Sequence, residues 1–158
     1  MSKAKPQRGV PRAVNPLSYE TTIMVRDTCL CLHVQRAARA VARRFDEALR
    51  PLDLTNGQFS LLMSLNRPEP PGMAPVAELL AMDRTTLTAN LKPLERRGLL
   101  RVEVDADDRR QRRLILTDAG RALLAAAMPI WTSTHAVLDP LVAASGLEDF
   151  RSDLRALS

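Results

Sequence analysis

Apolar side chains recur at helical spacing near both ends of the chain. Between residues 26 and 50 they repeat every three or four positions with arginines between them, which predicts one long amphipathic helix that Pro51 ends. Thr117 precedes a second long apolar period, in which Pro129 predicts a bend. A last apolar stripe comprises Leu147, Phe150, Leu154 and Leu157.

Shorter helical periods occupy the middle of the chain. Thr55 and Gln58 have the spacing of a capping box, so a helix begins there. Pro75 suits the first position of the next helix. That helix is predicted over residues 76–82, and its predicted buried side chains are Val76, Leu79 and Leu80.

A fourth helix follows after about three residues, which is the spacing of a helix-turn-helix. Asp83 is its predicted N-cap and Gly98 its C-terminal glycine. Pro93 lies inside this helix, where it removes one backbone hydrogen bond and predicts a kink or a bend. The predicted buried side chains are Leu87, Leu91 and Leu94.

After Gly98 the apolar period changes to every second residue. Two alternating runs, 100–104 and 113–116, flank a polar segment and predict a β-hairpin with a charged tip. The fold class is therefore mainly α with a small β-wing. A winged helix-turn-helix core (about 53–117) is flanked by N- and C-terminal dimerisation helices (about 20–50 and 118–158), because their apolar faces need a second chain to cover them.

The net charge of +5 is unevenly distributed. Residues 1–18 carry four bases, no acid and three prolines, and are predicted to form a flexible basic arm ahead of a single domain at 19–158. Residues 84–113 carry nine bases and five acids. This distribution suits a protein that meets a polyanion at a defined place, although a solvated basic face explains the charge equally well.

Several functional classes lack support in the residues. We predict no membrane span, no secretory signal and a cytoplasmic location. No phosphate loop, nucleophile elbow or metal triad occurs, so we predict no enzyme and no cofactor. Cys29, Cys31 and His33 do not predict a metal site. Helical residues two apart point about 200° away from each other, which also predicts no disulfide between the two cysteines.

Two segments carry a family resemblance. Residues 82–100 read MDRTTLTANLKPLERRGLL and resemble the recognition helix of the MarR-type transcriptional regulators with its Leu-Glu-x-x-Gly-Leu exit. Residues 105–110 resemble the family's Asp-Pro-x-Asp-Arg-Arg wing tip, with Ala106 in place of the proline, and residues 114–120 continue the likeness. The resemblance covers about 26–157. It implies a homodimer, a palindromic double-stranded DNA operator, and repression that a small ligand or an oxidant relieves.

The resemblance assigns DNA contacts to the recognition helix. Arginine binds guanine bidentately, asparagine pairs with adenine, and threonine contacts a base or a phosphate. Thr85 and Thr86, in the first turn, could instead only position the duplex through phosphates. The alternative for all of them is an exposed polar helix surface. The predicted DNA-binding side chains are Arg84, Thr85, Thr86, Thr88, Asn90 and Lys92.

The wing supplies the second predicted contact. Arg110 is expected to enter a narrow A·T-rich minor groove, and the family's Asp-x-Arg pattern implies that Asp108 holds that arginine. Arg109, Arg112 and Arg113 are expected to meet phosphates. A solvated hairpin tip is the alternative.

Other readings remain open. Leu30-Cys31-Leu32 resembles the organic-hydroperoxide-sensing branch of the family, with Cys31 as the redox candidate, but the tyrosines of that branch are absent from 29–36 and 55–59. An architectural DNA-binding protein would share the basic segment, yet the chain has only three lysines. Trp131 and His135 lie one helical turn apart, and either line a ligand pocket or belong to the core and dimer interface.

Overall fold

The computed structural model describes residues 17–142 and 146–157. The basic residues of the predicted N-terminal arm lie outside these ranges. The elements in chain order are α1 (Tyr19–Thr28), α2 (Leu30–Leu49), α3 (Asn56–Ser64), α4 (Met73–Leu79), α5 (Arg84–Arg96), β1 (Leu100–Val104), β2 (Arg112–Leu116), α6 (Asp118–Leu138) and α7 (Leu147–Ala156). Short 3-10 turns follow α2 at Arg50–Leu52 and α6 at Asp139–Leu141. In the described ranges, no helix has the length and apolarity needed to cross a bilayer.

The chain forms two compact units, residues 1–38 and 39–158, whose boundary lies within α2. The described part of the first unit contains α1 and the start of α2. Cys29 separates these helices with an extended ψ of 104°. Its amide donates to Val25 (2.9 Å) and its carbonyl accepts from His33 (3.2 Å), so it ends one helix and begins the next. The single helix predicted from residue 26 was therefore wrong at its start, because apolar spacing does not detect such a local break.

The second unit has a leucine-rich core between its helices and its sheet. Leu87, Leu91 and Leu94 on α5 are all buried, which confirms the predicted inner face of that helix. The core also takes side chains from every other helix of the unit except α7, and from both strands. These include Leu49, Leu62, Val76, Leu100, Leu114 and Leu124.

The predicted helix caps at Thr55 and Thr117 are confirmed. Thr55 Oγ1 accepts from the Gln58 amide (3.2 Å), and the Gln58 side chain accepts from the Thr55 amide (3.1 Å). Thr117 Oγ1 accepts from the Gly120 amide at 3.1 Å. Both helices therefore begin where their capping residues predict.

The prediction for α4 was wrong in its bounds and in part of its buried face. The helix begins at Met73, after Gly72, so Pro75 is its third residue. The chain leaves the helix after Leu79, and Ala81 has a φ of +49°. Its inner face comprises Met73, Val76 and Ala77, and Leu80, which follows the helix, packs on the same core. Leu79 points away from that face and is 59% exposed, contrary to expectation.

The sheet is the predicted antiparallel hairpin. Leu100 pairs with Leu116 and Val104 with Arg112. The outer edge of β2 pairs with the proline-rich loop that precedes α4: Leu114 donates its amide to Pro71 (2.9 Å), and Gly72 forms a bridge with Arg113. We call β1, β2 and the loop 105–111 the wing.

Candidate nucleic-acid interface

Helix α5 begins at a well-made cap. Asp83 Oδ1 accepts from the Thr86 amide (2.8 Å), and Asp83 Oδ2 accepts from the Thr86 hydroxyl (2.6 Å). The Thr86 hydroxyl first, and then its amide, hold the pKa of Asp83 below its ordinary value. Helix α5 continues through Pro93 to Arg96, and the Arg97 amide donates to the Pro93 carbonyl at 3.2 Å. Gly98 ends the helix with a φ of +69°, as predicted.

One stripe of α5 faces directly away from the core. Residues separated by four, seven and eleven positions share a helical face, and this face is opposite to Leu87 and Leu91. The stripe comprises Thr85, Ala89, Lys92 and Arg96, all exposed. Arg96 was absent from our predicted contacts. Extending the helical spacing onward from Thr85 would have found it.

The remaining predicted residues lie on the flanks of α5. Arg84 is exposed at the first turn. Two hydroxyl protons are already used inside the helix, because Thr86 donates to Asp83 and Thr88 donates to the Arg84 carbonyl (2.8 Å). In these rotamers, the Thr86 and Thr88 hydroxyls can accept hydrogen bonds from DNA but cannot donate them.

Asn90 lies on the flank nearest α3. Its amide nitrogen is 3.6 Å from the Met82 sulfur. It also lines a cavity of about 110 Å³ between α5 and the start of α3, together with Gly57, Gln58, Leu61 and Pro93. The structure therefore places Asn90 and Lys92 on different faces of α5.

Two side chains near the end of α5 join it to its neighbours. Glu95 Oε1 accepts from the Val102 amide of β1 at 3.2 Å. Arg97 donates to the carbonyls of Asp53 (2.5 Å) and Leu52 (3.5 Å) in the turn before α3. The recognition helix is thus connected to both the wing and the turn between α2 and α3.

A buried carboxylate organises the base of the wing. Asp105 is 5% exposed, and its Oδ1 accepts from the amides of Asp107 (2.8 Å) and Asp108 (2.9 Å). Its Oδ2 accepts from Arg113 Nε, and Arg113 Nη1 donates to the Pro70 carbonyl at 3.1 Å. The pKa of Asp105 is lowered, most strongly by the hydrogen bond from the Asp108 amide and then by those from Arg113 and the Asp107 amide. We had expected Arg113 to meet a phosphate; two nitrogens of its guanidinium instead bind protein groups here, while the side chain stays 45% exposed.

The tip of the wing presents two exposed arginines, Arg109 and Arg110. Asp108 accepts from the Arg110 amide (3.0 Å) and from the Gln111 side chain (3.1 Å). It therefore contacts the main chain of Arg110 instead of the guanidinium that we expected it to hold. Among the described residues, the Arg110 guanidinium makes no hydrogen bond or ion pair. Arg112 donates to the carbonyls of Arg109 and Gln111, each at 3.1 Å.

The cysteines lie at the junction of α1 and α2. Cys31 is exposed, and its sulfur accepts from the Gln35 side-chain amide at 3.1 Å. Cys29 is only half-buried and is not helical. The 200° separation that we predicted between the two side chains does not apply, because it assumed that both residues lie on one helix. Over the described ranges, no three His, Cys, Asp or Glu side chains converge on a metal position.

Trp131 and His135 form a packed aromatic cluster with Phe45. The ring of His135 is centred 4.1 Å from Trp131 and 5.0 Å from Phe45, and its Nδ1 lies 3.1 Å from Asp139 Oδ1. An open hollow of about 490 Å³ lies along α6, and neither Trp131 nor His135 lines it. Its lining residues are Arg44, Ser133, Thr134, Val137 and Leu138.

Comparisons with known proteins match this arrangement. Residues 54–111, which span α3, α4, α5 and most of the wing, fit the model of the MarR family. The solved structure of the M. tuberculosis transcriptional regulator MosR in complex with DNA is 39% identical, with a TM-score of 0.70. The superposed region covers 82% of this chain and 92% of the MosR chain. The chain belongs to the MarR family.

Two further relatives extend the comparison for this MarR-family chain. The transcriptional repressor CouR, solved on a 23-mer DNA duplex, is 32% identical with a TM-score of 0.68, over 84% of this chain and 92% of CouR. The transcriptional regulator TtmR of Methylorubrum extorquens is 37% identical over 97 residues, which are 61% of this chain. The matched segment spans half the length of TtmR.

Proposed function

We propose that this MarR-family chain is a homodimeric, sequence-specific repressor that binds a palindromic DNA operator and releases it in response to a small ligand. One observation carries the proposal: the exposed polar stripe of α5 and the exposed arginines of the wing tip belong to one interconnected winged helix. That MosR and CouR were solved on DNA supports it. The proposal includes no catalytic step, and binding to the chromosome requires a cytoplasmic location.

Helix α5 is proposed to enter the major groove. Thr85 and Lys92 on its outer stripe meet the DNA directly, joined by Arg96, which shares their face. Arg84, at the first turn, reaches a base edge or a phosphate. Thr86, Thr88 and Asn90 on the flanks offer acceptors and an amide to the groove walls.

The wing is proposed to bind the adjacent minor groove. The Arg110 guanidinium is exposed and has no protein partner in the described ranges, so it is available for a narrow A·T-rich tract. Asp108 orients Arg110 through its backbone amide. Arg109 and Arg112 are placed to meet phosphates on either side.

A second copy of the chain is proposed to cover the apolar faces of the terminal helices. In the first unit, α1 and the start of α2 expose Tyr19, Met24, Val25 and Leu30. In the second unit, the end of α6 and the residues after it expose Val137, Leu141, Leu154 and Leu157. Large apolar side chains that stay exposed in the single chain support a protein–protein interface at these helices.

Selection of bound sequences from random duplex DNA tests the proposal. If each subunit places one α5 in a major groove, the selected site has two-fold symmetry with half-sites about 10 bp apart, centre to centre. Sedimentation at micromolar concentration should show a dimer. A selected site without a dyad, a folded monomer, or equal binding to scrambled DNA would overturn the proposal; the last outcome would favour an architectural protein.

A thiol-based oxidant sensor is the second candidate. The observation that favours it is the exposed Cys31 sulfur with a hydrogen bond from Gln35, at the junction of two helices. The test titrates the DNA complex with an organic hydroperoxide for the parent and for Cys31→Ser, with intact-mass measurement of the thiols. Release of DNA by the parent alone supports a sensor. Equal behaviour of the two proteins leaves a small ligand as the signal.

A further inference from the structure

An ion pair within the wing, between buried Asp105 and half-exposed Arg113, is also connected to the loop that leads into the helix-turn-helix. We infer that Asp105 and Arg113 are positioning residues for minor-groove recognition: their ion pair holds the wing tip so that Arg110 meets the minor groove while α5 occupies the major groove. The inference rests on the proposed DNA-binding function. It adds a role for Arg113, which we had expected to meet a phosphate, and for Asp105, to which the sequence assigned no role.

The backbone of the wing tip is built by two carboxylates in series. Asp105 Oδ1 binds the amides of Asp107 and Asp108 and folds the chain back immediately after β1. Asp108 Oδ1 then binds the amide of Arg110. The direction in which Arg110 leaves the tip therefore depends on the position of the Asp105 carboxylate.

Arg113 fixes that carboxylate to the rest of the winged helix. Its Nε donates to Asp105 Oδ2, while its Nη1 donates to Pro70, three residues before α4 begins. The main chain repeats the connection, since Gly72 bridges to Arg113 and Leu114 donates to Pro71. One guanidinium thus joins the wing tip to the loop that leads into the helix-turn-helix. Loss of the Arg113 side chain leaves the main-chain pairing of β2 in place but removes the anchor of the Asp105 carboxylate, so the tip gains freedom to move relative to α5.

The sign of a charge effect separates this role from simple electrostatics. Asp105 is an anion in the part of the protein proposed to approach phosphates, so Coulomb repulsion alone predicts that Asp105→Asn tightens DNA binding. A positioning role predicts weaker binding, because the Arg113 guanidinium loses its buried partner and the tip loses its anchor.

The experiment measures the affinity of Asp105→Asn, Arg113→Gln and the double variant for the selected operator over a salt series. Each single variant is expected to bind about fivefold or more weakly. The double variant is expected to bind the operator no more weakly than the single variant with the lower affinity, because the two residues act as one unit. The salt slope should stay at the parent value, since no phosphate contact is removed.

Arg112→Gln is the matched control, since it removes the same charge from the adjacent residue of β2. Among the described residues, the Arg112 side chain donates only to carbonyls of the tip, and it is proposed to meet a phosphate. Its loss should therefore lower the salt slope by about one. If Arg113→Gln lowers the slope in the same way, Arg113 is a phosphate contact and the positioning role is wrong. Tighter or unchanged binding by Asp105→Asn also overturns it.

Two further readouts separate positioning from loss of folding and from failure of the proposed function. Arg113→Gln should lose the preference for A·T-rich flanks while keeping base discrimination at the α5 half-sites; loss of both would indicate a merely structural role. In the free protein, the Asp108 and Arg110 amides should exchange hydrogen faster in Arg113→Gln. Unchanged exchange refutes the inference even if the parent selects no DNA. Faster exchange without DNA selection confirms that Arg113 holds the tip but refutes the proposed function, and with it the minor-groove role.

Discussion

Gly120 of α6 lies directly against the main chain of Leu99. A Cβ on Gly120 would lie 2.1 Å from the Leu99 carbonyl oxygen and 2.7 Å from a methyl carbon of Leu116. The Thr117 amide donates to the same Leu99 carbonyl at 3.2 Å. Helix α6 therefore meets the residue that precedes β1 with no room for a side chain between them.

Gly120→Ala is accordingly expected to lower the free energy of unfolding by about 2 kcal/mol or more, because α6 must move away from β1. Urea denaturation measures this change. Gly57→Ala is the matched control: no atom of the described residues lies within 4 Å of its Cβ position on α3, so this substitution should stabilise the protein by about 0.5–1 kcal/mol. Equal effects of the two substitutions would contradict the close packing described here.

Thr117→Ala should destabilise the protein by about 1 kcal/mol, since it removes the N-cap of α6. The hydroxyl also donates to the Gly98 carbonyl at 2.7 Å, so the same substitution loosens the turn after α5. Thr117→Ser keeps both hydrogen bonds and should remain close to the parent in thermal unfolding. If serine proves as damaging as alanine, the methyl group rather than the cap carries the effect.

Leu87 and Leu79 lie on neighbouring helices of the helix-turn-helix but differ in burial, at 0% and 59% exposure. Leu87→Ala should cost about 2–5 kcal/mol in chemical denaturation, through lost burial and the cavity left behind. Leu79→Ala should change the free energy of unfolding by no more than about 0.5 kcal/mol. A large loss at Leu79 would show that its side chain is covered in the assembled protein.

Asp83 should make stability depend on acidity. Its pKa in the folded chain is below the ordinary 3.8, so the cap stabilises the protein fully above that pH. The contribution is lost as the pH falls through the lowered folded value. Asp83→Asn keeps a side-chain acceptor but does not titrate. The stability advantage of the parent over Asp83→Asn, from urea unfolding at several pH values, should therefore shrink in acid. A difference independent of pH would refute this.

Arg110→Ala should weaken binding most at operators with A·T-rich flanks and lower the salt slope by about one. Arg50→Ala removes the same charge outside α5 and the wing, where Arg50 pairs with Glu47 at 3.1 Å. That control should leave the slope unchanged. Fluorescence anisotropy over a salt series distinguishes the two, and parent-like binding by Arg110→Ala at every salt concentration would refute the minor-groove role.

Sequence alone determined the elements whose causes are local. Thr55, Asp83 and Thr117 cap helices because each side chain bonds an amide three residues ahead. The change from helical to alternating spacing after Gly98 located the hairpin, since each backbone geometry imposes its own period on buried residues. The family resemblance was carried by residues 82–100, 105–110 and 114–120, so the fold class and the recognition helix were predictable.

Tertiary structure alone decided the features that depend on distant partners. In the sequence, Arg113 is one more base in a charged run. In the fold, its guanidinium donates to the carbonyl of Pro70, 43 residues away. In the sequence, Leu79 looks like a core residue. In the fold, the face of α4 that packs inward does not include it. Asp108 reads as the partner of the Arg110 side chain, although the folded tip offers it the amide instead. Periodicity records which residues share a face, whereas the partner a charged group chooses depends on which distant donors and acceptors the fold brings within reach.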